Sequence, residues 1–444
     1  MSVALKALRP ARLRRFGAVW RDEGLTQALG RARTHLRLMR TGQGVSEVAQ
    51  QAAPLSAPGH PAPPPPRFAF APVWRDLARG AAFHLSAAPA TLSSRRRVAM
   101  IGDLNLPQCR KYRVEQMDEI CSGLDAGYRF AHYEDLPRCR EILQEATHLM
   151  LYRLRRCDLT TMYLYEARRL RLPVLYDIDD PLFSVSAYET YSNMAAVAEA
   201  EKAHFVAEAP LYADAMNMSD LVSVSTPGLA EHARAHTARP VLVRRNFADR
   251  ATLEAGRRAM AMRPARTGFT VAMASGSRGH DADLMTIRDA LCRFLQGGVE
   301  RRLLLLGHLD GGMFPDAFAG QIRCRPFAGY DAYLAALAEA DCTVLPLTDD
   351  AFNRCKSAVR AIDAAAVGVP ALVADVGDLA AVVEDRRTGC VVRSDWAEAL
   401  TALAEAPAEA ARMGRAARAH LERAWGAAVR APVADAALAE WIRG

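Results

Sequence analysis

The sequence predicts an α/β protein built on parallel, doubly wound sheets. Short apolar runs bounded by turn residues recur along the chain and read as buried strands. Segments with apolar residues at helical spacing separate these runs, and strands alternating with helices connect as parallel crossovers. At 444 residues, 51% of them hydrophobic, the chain is long enough for two or three domains with sizeable cores.

Composition narrows the class further. The nine cysteines, an odd number, are scattered without a C-x-x-C pair. That argues for reduced thiols in a cytoplasmic protein, and against a disulfide framework or a zinc ribbon. No apolar run approaches the ~18 residues of a membrane span, and the N-terminus lacks the apolar region of a signal peptide. The net charge is +7, but residues 1–50 hold ten Lys/Arg and three Asp/Glu, which accounts for all of it. The body is balanced, so nucleic acid is not an expected partner.

Residues 1–50 place Leu5, Leu8, Leu13, Phe16, Trp20, Leu25 and Leu29 among arginines at helical spacing. They read as a basic amphipathic helical extension, either resting on an anionic membrane surface or packing on the body or a partner. From 51 to 66 the composition shifts to Ala and Pro, ending HPAPPPP, which is a semi-rigid extended linker. Residues 68–95 are ambiguous, with one helix around 74–83.

The first predicted domain, 97–248, opens with RVAMIGD (97–103), a buried strand and a Gly turn. LPQCRKYRVEQ (106–116) then enters a helix running to about Leu124. Arg110, Lys111 and Arg113 cluster at its start, and Lys111 and Arg113 are candidates to face a cleft. HLMLY (148–152) and PVLYD (173–177) read as strands around a helix at 160–170, and LVSVS (221–225) precedes another helix. YDIDDPLF (176–183) lies at a strand end, where ligands of such sheets sit. Three carboxylates within four residues are unfavourable together unless solvated or used. Divalent-metal chelation is one use; a loop capping the next helix is the plain alternative.

The second predicted domain, 249–407, opens with FTVAMA (269–274) and the loop SGSRGHD (275–281), followed by a helix at 284–295. Gly276 and Gly279 permit close backbone approach, donors at the helix start can reach a phosphate, and His280 is a candidate contact. RRLLLLG (301–307), 322–327 and CTVLPL (342–347) are further strands. Residues 408–444 read as C-terminal helices.

The stretch DDAFNRCKSAVRAIDAAAVGVP (349–370) is the densest in chemistry. A helix is expected over 355–367, stopped by Gly368 and Pro370. On it Lys356, Arg360 and Asp363 would share one face, two cations suited to a diphosphate and a carboxylate suited to a ribose diol. The alternative is a solvated face with an Arg360–Asp363 pair. Only four of the 57 basic residues are lysines, which draws attention to Lys356 as a chosen point charge.

This stretch and its continuation, VGD (376–378), VVED (382–385), TGCVV (388–392) and DWAEAL (395–400), resemble the donor-binding segment of GT-B glycosyltransferases of the family 4-like, group 1 type. The resemblance spans 97–405 and is strongest in the second domain. It implies two Rossmann-like, doubly wound domains facing a cleft, and transfer of a hexosyl unit from a nucleotide-diphosphate sugar to a glycan or lipid-linked hydroxyl in bacterial surface polysaccharide or glycoconjugate synthesis. It implies donor binding by Gly276, Ser277, His280, Asn353, Lys356, Ser357, Arg360 and Asp363. Lys356 would stabilise the departing diphosphate, and Asp179 or Asp180 would orient or deprotonate the acceptor. The helices after 408 would cross back to the first domain. Neither metal nor cofactor is called for, and the expected place is the cytoplasm or the inner face of the membrane. Many retaining members carry two glutamates eight positions apart, where this chain has Cys355 and Asp363. That leaves the stereochemical outcome open, together with two alternatives: a catalytically impaired scaffold that binds nucleotide or glycan, and a GT-B sugar-nucleotide epimerase.

Overall fold

The computed structural model describes residues 95–265, 267–276, 280–426 and 434–443, with isolated positions at 25, 29 and 32. The expected amphipathic extension, the Pro-rich linker, the helix at 74–83, and Ser277 and Gly279 lie outside the described residues. The described residues from 95 onward belong to one compact unit.

Within it are two six-stranded sheets, every strand pair of them parallel. The first has the order β2-β1-β3-β4-β5-β6, from β1 (Arg97–Gly102), β2 (Gly127–His132), β3 (His148–Tyr152), β4 (Val174–Ile178), β5 (Leu221–Val224) and β6 (Val241–Val243). The second has the order β12-β11-β10-β7-β8-β9, from β7 (Phe269–Ser275), β8 (Arg301–Gly307), β9 (Ile322–Pro326), β10 (Cys342–Leu345), β11 (Ala371–Ala374) and β12 (Gly389–Val392). Helices connect the strands, as parallel neighbours require.

Two-residue periodicity sends each strand's side chains to opposite faces. In β1, Ala99 and Ile101 join one buried cluster while Val98 and Met100 join another. In β7, Ala272 and Ala274 separate in the same way from Val271 and Met273. Helices therefore cover both faces of each sheet. The last helix, Ala436–Arg443, returns to the first sheet: Leu438 and Ile442 pack with Val98, Met100 and Met150. Arg96 Nε also donates to the Arg443 carbonyl at 2.8 Å.

Two local departures from the sequence expectation matter for the site. The helix expected over 355–367 is shorter, Val359–Ala366, preceded by a 3-10 turn Asn353–Cys355. Lys356 is extended (φ −68°, ψ 140°), and its carbonyl accepts from Asp378 N at 3.0 Å. A carbonyl held by the neighbouring loop is withdrawn from the helical ladder, so Lys356 stands before the helix and not on the face shared by Arg360 and Asp363. The helix ends as expected, with Gly368 at φ +65°, a conformation glycine adopts without steric penalty. The helix expected after Leu106 is broken into Pro107–Cys109, a π-helical turn Arg110–Glu115, and Gln116–Gly123. Such wide turns re-aim side chains and occur often at functional sites.

Candidate functional site

Strand order locates the crevice. In the second sheet the direction of winding reverses between β7 and β10, and ligands of such sheets bind beyond the strand ends at that switch. The loops there carry Gly276 and His280 after β7, and Asn353 and Lys356 after β10. The first lobe's β4 delivers Asp179 and Asp180, and the two lobes meet along this line.

Lys356 lies at the meeting line. Its ammonium stands 5.3 Å from the ring centre of Tyr191, in the first lobe, and 5.1 Å from that of Phe352. Those two rings stack at 4.0 Å, and Phe352 and Cys355 belong to the first lobe's buried cluster. Burial pulls the Lys356 pKa down, but Tyr191 and the Asp180 carboxylate outweigh it and hold the value above its ordinary one. Asp180 and Lys356 thus act on each other electrostatically across the seam. Thr226 Oγ1 donates to the Cys355 carbonyl at 2.9 Å, and Gly228 lets the Arg354 carbonyl approach, since a Cβ there would lie 2.4 Å from it.

Asp179 and Asp180 share the Arg153 guanidinium, at 3.0 and 3.4 Å, and Tyr152 OH donates to Asp179 at 3.2 Å. Arg153 takes a positive φ of 51° to reach them. Asp177, from the same run of acids, is part of the core. It is fully buried and paired with Arg113 at 2.6 Å and Arg244 at 3.1 Å. Arg113 therefore corrects an expectation: it presents nothing to a cleft, because both its faces are spent on Asp177, the Arg244 carbonyl and Asn246. Lys111 does reach the seam, where it pairs with Asp249 at 3.2 Å and lies 4.4 Å from the Tyr330 ring centre.

Asp363 is 4% exposed and accepts from Tyr330 OH at 2.6 Å and from Tyr112 OH of the first lobe. Burial pushes its carboxyl up to about 6, against the hydrogen bonds that pull the other way. Its neighbour Arg360 makes one long bond, to the Ala274 carbonyl at 3.4 Å, leaving most of its donors without a partner among the described residues. Ser357 Oγ accepts from Asn246 at 3.0 Å.

His280 precedes the helix Asp281–Gln296, with Nδ1 2.7 Å from Asp283. Burial, with the charges of Arg360 and Lys356 adding to it, lowers its pKa to about 4, so the ring is neutral at pH 7. Asn353 is fully buried and holds the loop with bonds to Thr348 and Asp350. Gly276 is exposed and faces Gln108 of the first lobe, whose Cδ would lie 3.7 Å from an added Cβ.

The structure thus brings His280, Asn353, Lys356, Arg360 and Asp180 to one seam. It also adds residues the sequence did not single out: Tyr112, Tyr191, Ser192, Asn193, Asp283, Tyr330 and Asp350. Tyr112 and Asp350 lie in stretches already read as rich in chemistry, and Asp283 follows His280 by three residues in the first turn of a helix; Tyr191, Ser192, Asn193 and Tyr330 left no such signal. A small cavity of about 20 Å³ sits at the first sheet's own switch, between Asp103 after β1 and Arg153 after β3. A larger one of about 270 Å³, lined by Met260 and Arg415, contains none of the candidate residues.

This architecture is the GT-B glycosyltransferase fold, and residues 288–434 match the model of the family described as "glycosyl transferase-like". Among individual proteins, the chain is 37% identical over 108 residues to a D-inositol 3-phosphate glycosyltransferase of Streptomyces avermitilis, which is 23% of this chain and 22% of the relative. A protein of the same description from Gordonia bronchialis is 46% identical over 67 residues, 14% of this chain and 15% of that one. The match thus spans about a fifth of these relatives' length. Among solved structures, sucrose-phosphate synthase from Thermosynechococcus elongatus superposes with a TM-score of 0.51 at 15% identity, covering 75% of this chain and 95% of that one. HepE of Anabaena in complex with UDP and glucose gives 0.50 at 13% identity, covering 75% and 96%.

Proposed function

We propose that the protein transfers a sugar, of hexosyl type, from a nucleotide-diphosphate donor to a hydroxyl of a glycan or lipid-linked acceptor. The observation that carries this reading is the meeting of Lys356, Arg360 and His280 at the second sheet's switch point, with the Asp180 carboxylate of the opposite lobe acting on Lys356. Glycosyl transfer from such a donor separates a nucleoside diphosphate, whose growing negative charge needs fixed cations in a site closed to water. Lys356 is charged, largely buried and compact, and Arg360 holds spare donors beside it. With Nδ1–H given to Asp283, a neutral His280 leaves Nε2 to accept a hydrogen bond without adding charge. On the other lobe, Asp179 and Asp180 can receive the proton of the acceptor hydroxyl, with Arg153 fixing their positions.

The ribose role of Asp363 requires the donor to displace Tyr112 from its carboxylate. Cys355 favours the scaffold reading, since a buried thiol bonded to the Ala351 carbonyl takes the place of an acid. Membrane contact through residues 1–50, and with it a place at the inner face, rests on the sequence.

HepE, which was solved with UDP, makes UDP the first nucleotide to try. The test is a thermal-shift panel of UDP, GDP, ADP and dTDP on wild type and Lys356→Ala. Specific binding adds RT ln(1 + [L]/Kd) to stability, so one nucleotide should raise the melting temperature and the variant should lose most of the gain. Nucleotide release from sugar nucleotides in the presence of acceptor then separates transferase from scaffold. No shift with any of the four would defeat both.

A further inference from the structure

Three consecutive residues of the first lobe enter the candidate donor site from outside. Tyr191, Ser192 and Asn193 follow the helix Val185–Thr190; the first two meet the loop after β10 of the second lobe, and Asn193 meets the helix after β7. The Tyr191 ring stacks on Phe352 and faces the Lys356 ammonium. Ser192 N and Oγ donate to Asp350 Oδ2 at 3.2 and 3.0 Å, and the same carboxylate holds Asn353. Asn193 Nδ2 donates to Asp283 Oδ2 at 3.2 Å, the oxygen that also meets His280 Nδ1, and to Tyr191 OH at 2.9 Å.

The chemistry of these partners fixes which way the amides point. A carboxylate only accepts, so the atom of Asn193 facing Asp283 must be the nitrogen. By the same reasoning, the nitrogen of Asn353 faces Asp350 and the Thr348 carbonyl. Each amide oxygen then faces the other way, and both are buried without a partner among the described residues: Asn193 is 3% exposed and Asn353 0%. Buried polar atoms without partners are rare and unfavourable, and two within one bonded network call for a missing donor. A diphosphate cannot supply it, because its oxygens are acceptors. A sugar can, through its hydroxyls.

Resting on the donor-site reading above, we propose that Asn193, from the acceptor-side lobe, completes the donor site by accepting a hydrogen bond from a hydroxyl of the donor's sugar, beside Asn353. The segment 191–193 then makes recognition of the sugar depend on closure of the lobes, because Lys356 faces Tyr191 while Asn353 and His280 share the carboxylates of Asp350 and Asp283 with Ser192 and Asn193. A base N–H is the other group that could fill the same oxygen, and the nucleotide arms of the test tell the two apart.

The experiment measures binding by calorimetry for UDP, GDP, ADP and dTDP and for their glucose, galactose, mannose and N-acetylglucosamine derivatives. Wild type, Asn193→Ala and Ser192→Ala are compared with the best pair. Asn193→Ala should weaken the sugar nucleotide about tenfold while the free diphosphate changes less than about twofold. Ser192→Ala, which cuts an interlobe bond without exposing a ligand-facing atom, should shift both alike. On wild type, one monodeoxy sugar nucleotide should reproduce the Asn193→Ala loss, and that deoxy donor should lose nothing further on the variant. Equal weakening of diphosphate and sugar nucleotide by Asn193→Ala assigns the oxygen to the base or to mere scaffolding and overturns the proposal. So does a deoxy series in which no position matters, a result that stands even if the variant does not fold. A wild type that binds none of the nucleotides removes the donor-site reading itself.

Discussion

Tyr112 of the first lobe donates its hydroxyl to the Asp363 carboxylate of the second, and Tyr330 donates to the same oxygen at 2.6 Å. A carboxylate on the helix after Lys356 is thereby engaged from across the seam. The π-helical turn at Arg110–Glu115 makes this possible, since it sends Tyr112 to the second lobe and Arg113 into the first lobe's core.

Asp363 titrates near 6, above the ordinary carboxylate range, because of its burial. Between the ordinary value and about 6 the folded state binds more protons than the unfolded one, so stability falls as pH rises through that window and is level above it. The contribution is of the order of 2–3 kcal/mol. Asp363→Asn should remove this slope, so that denaturation midpoints measured from pH 4 to pH 7 change less in the variant than in wild type. Parallel curves for the two proteins would contradict the assignment.

Tyr112→Phe deletes one hydroxyl and leaves Asp363 with Tyr330. Stability in urea should drop by about 1–2 kcal/mol at pH 7. Because the same hydroxyl competes for the proposed ribose ligand, nucleotide affinity should stay level or rise. A variant that loses stability and nucleotide binding together would place Tyr112 among the donor's own contacts.

Lys356→Arg should not replace Lys356. The ammonium is fitted against the Tyr191 and Phe352 rings, and a planar guanidinium needs a different space and different partners. Nucleotide diphosphate affinity is expected to fall by about tenfold or more in Lys356→Ala, with Lys356→Arg recovering only part of it, as read by calorimetry.

Arg113→Met tests a structural role. It strips the fully buried Asp177 of its closest partner, and breaking a buried pair from one side costs about 3–5 kcal/mol. Soluble yield and melting temperature should collapse with or without nucleotide. A well-folded variant that loses only turnover would return Arg113 to the cleft.

Much of the scaffold was legible along the chain. Val98–Met100 against Ala99–Ile101 shows the two-residue period of a strand covered on both faces, and the run ending in Gly368 and Pro370 shows a helix with its stop. Such patterns are local, set by covalent geometry and by which side chains avoid water. The cations of residues 353–363 could be read in the same way, since residue type and position near a helix start are local features that suggest an anion seat. Even there the start of the helix was misplaced, because the Lys356 carbonyl is taken by Asp378 from another loop.

What the sequence determined by itself, then, is the two-sheet α/β plan and the stretch that bears the cations. Folding alone decided which charges stay available: it withdrew Arg113 and Asp177 into a buried pair and set Tyr112 on Asp363, 251 positions away. It also carried Asn193 to Asp283, 90 positions away. Contacts of that span leave no period in a sequence, because they arise only when two independently patterned surfaces close on each other and bury the groups between them.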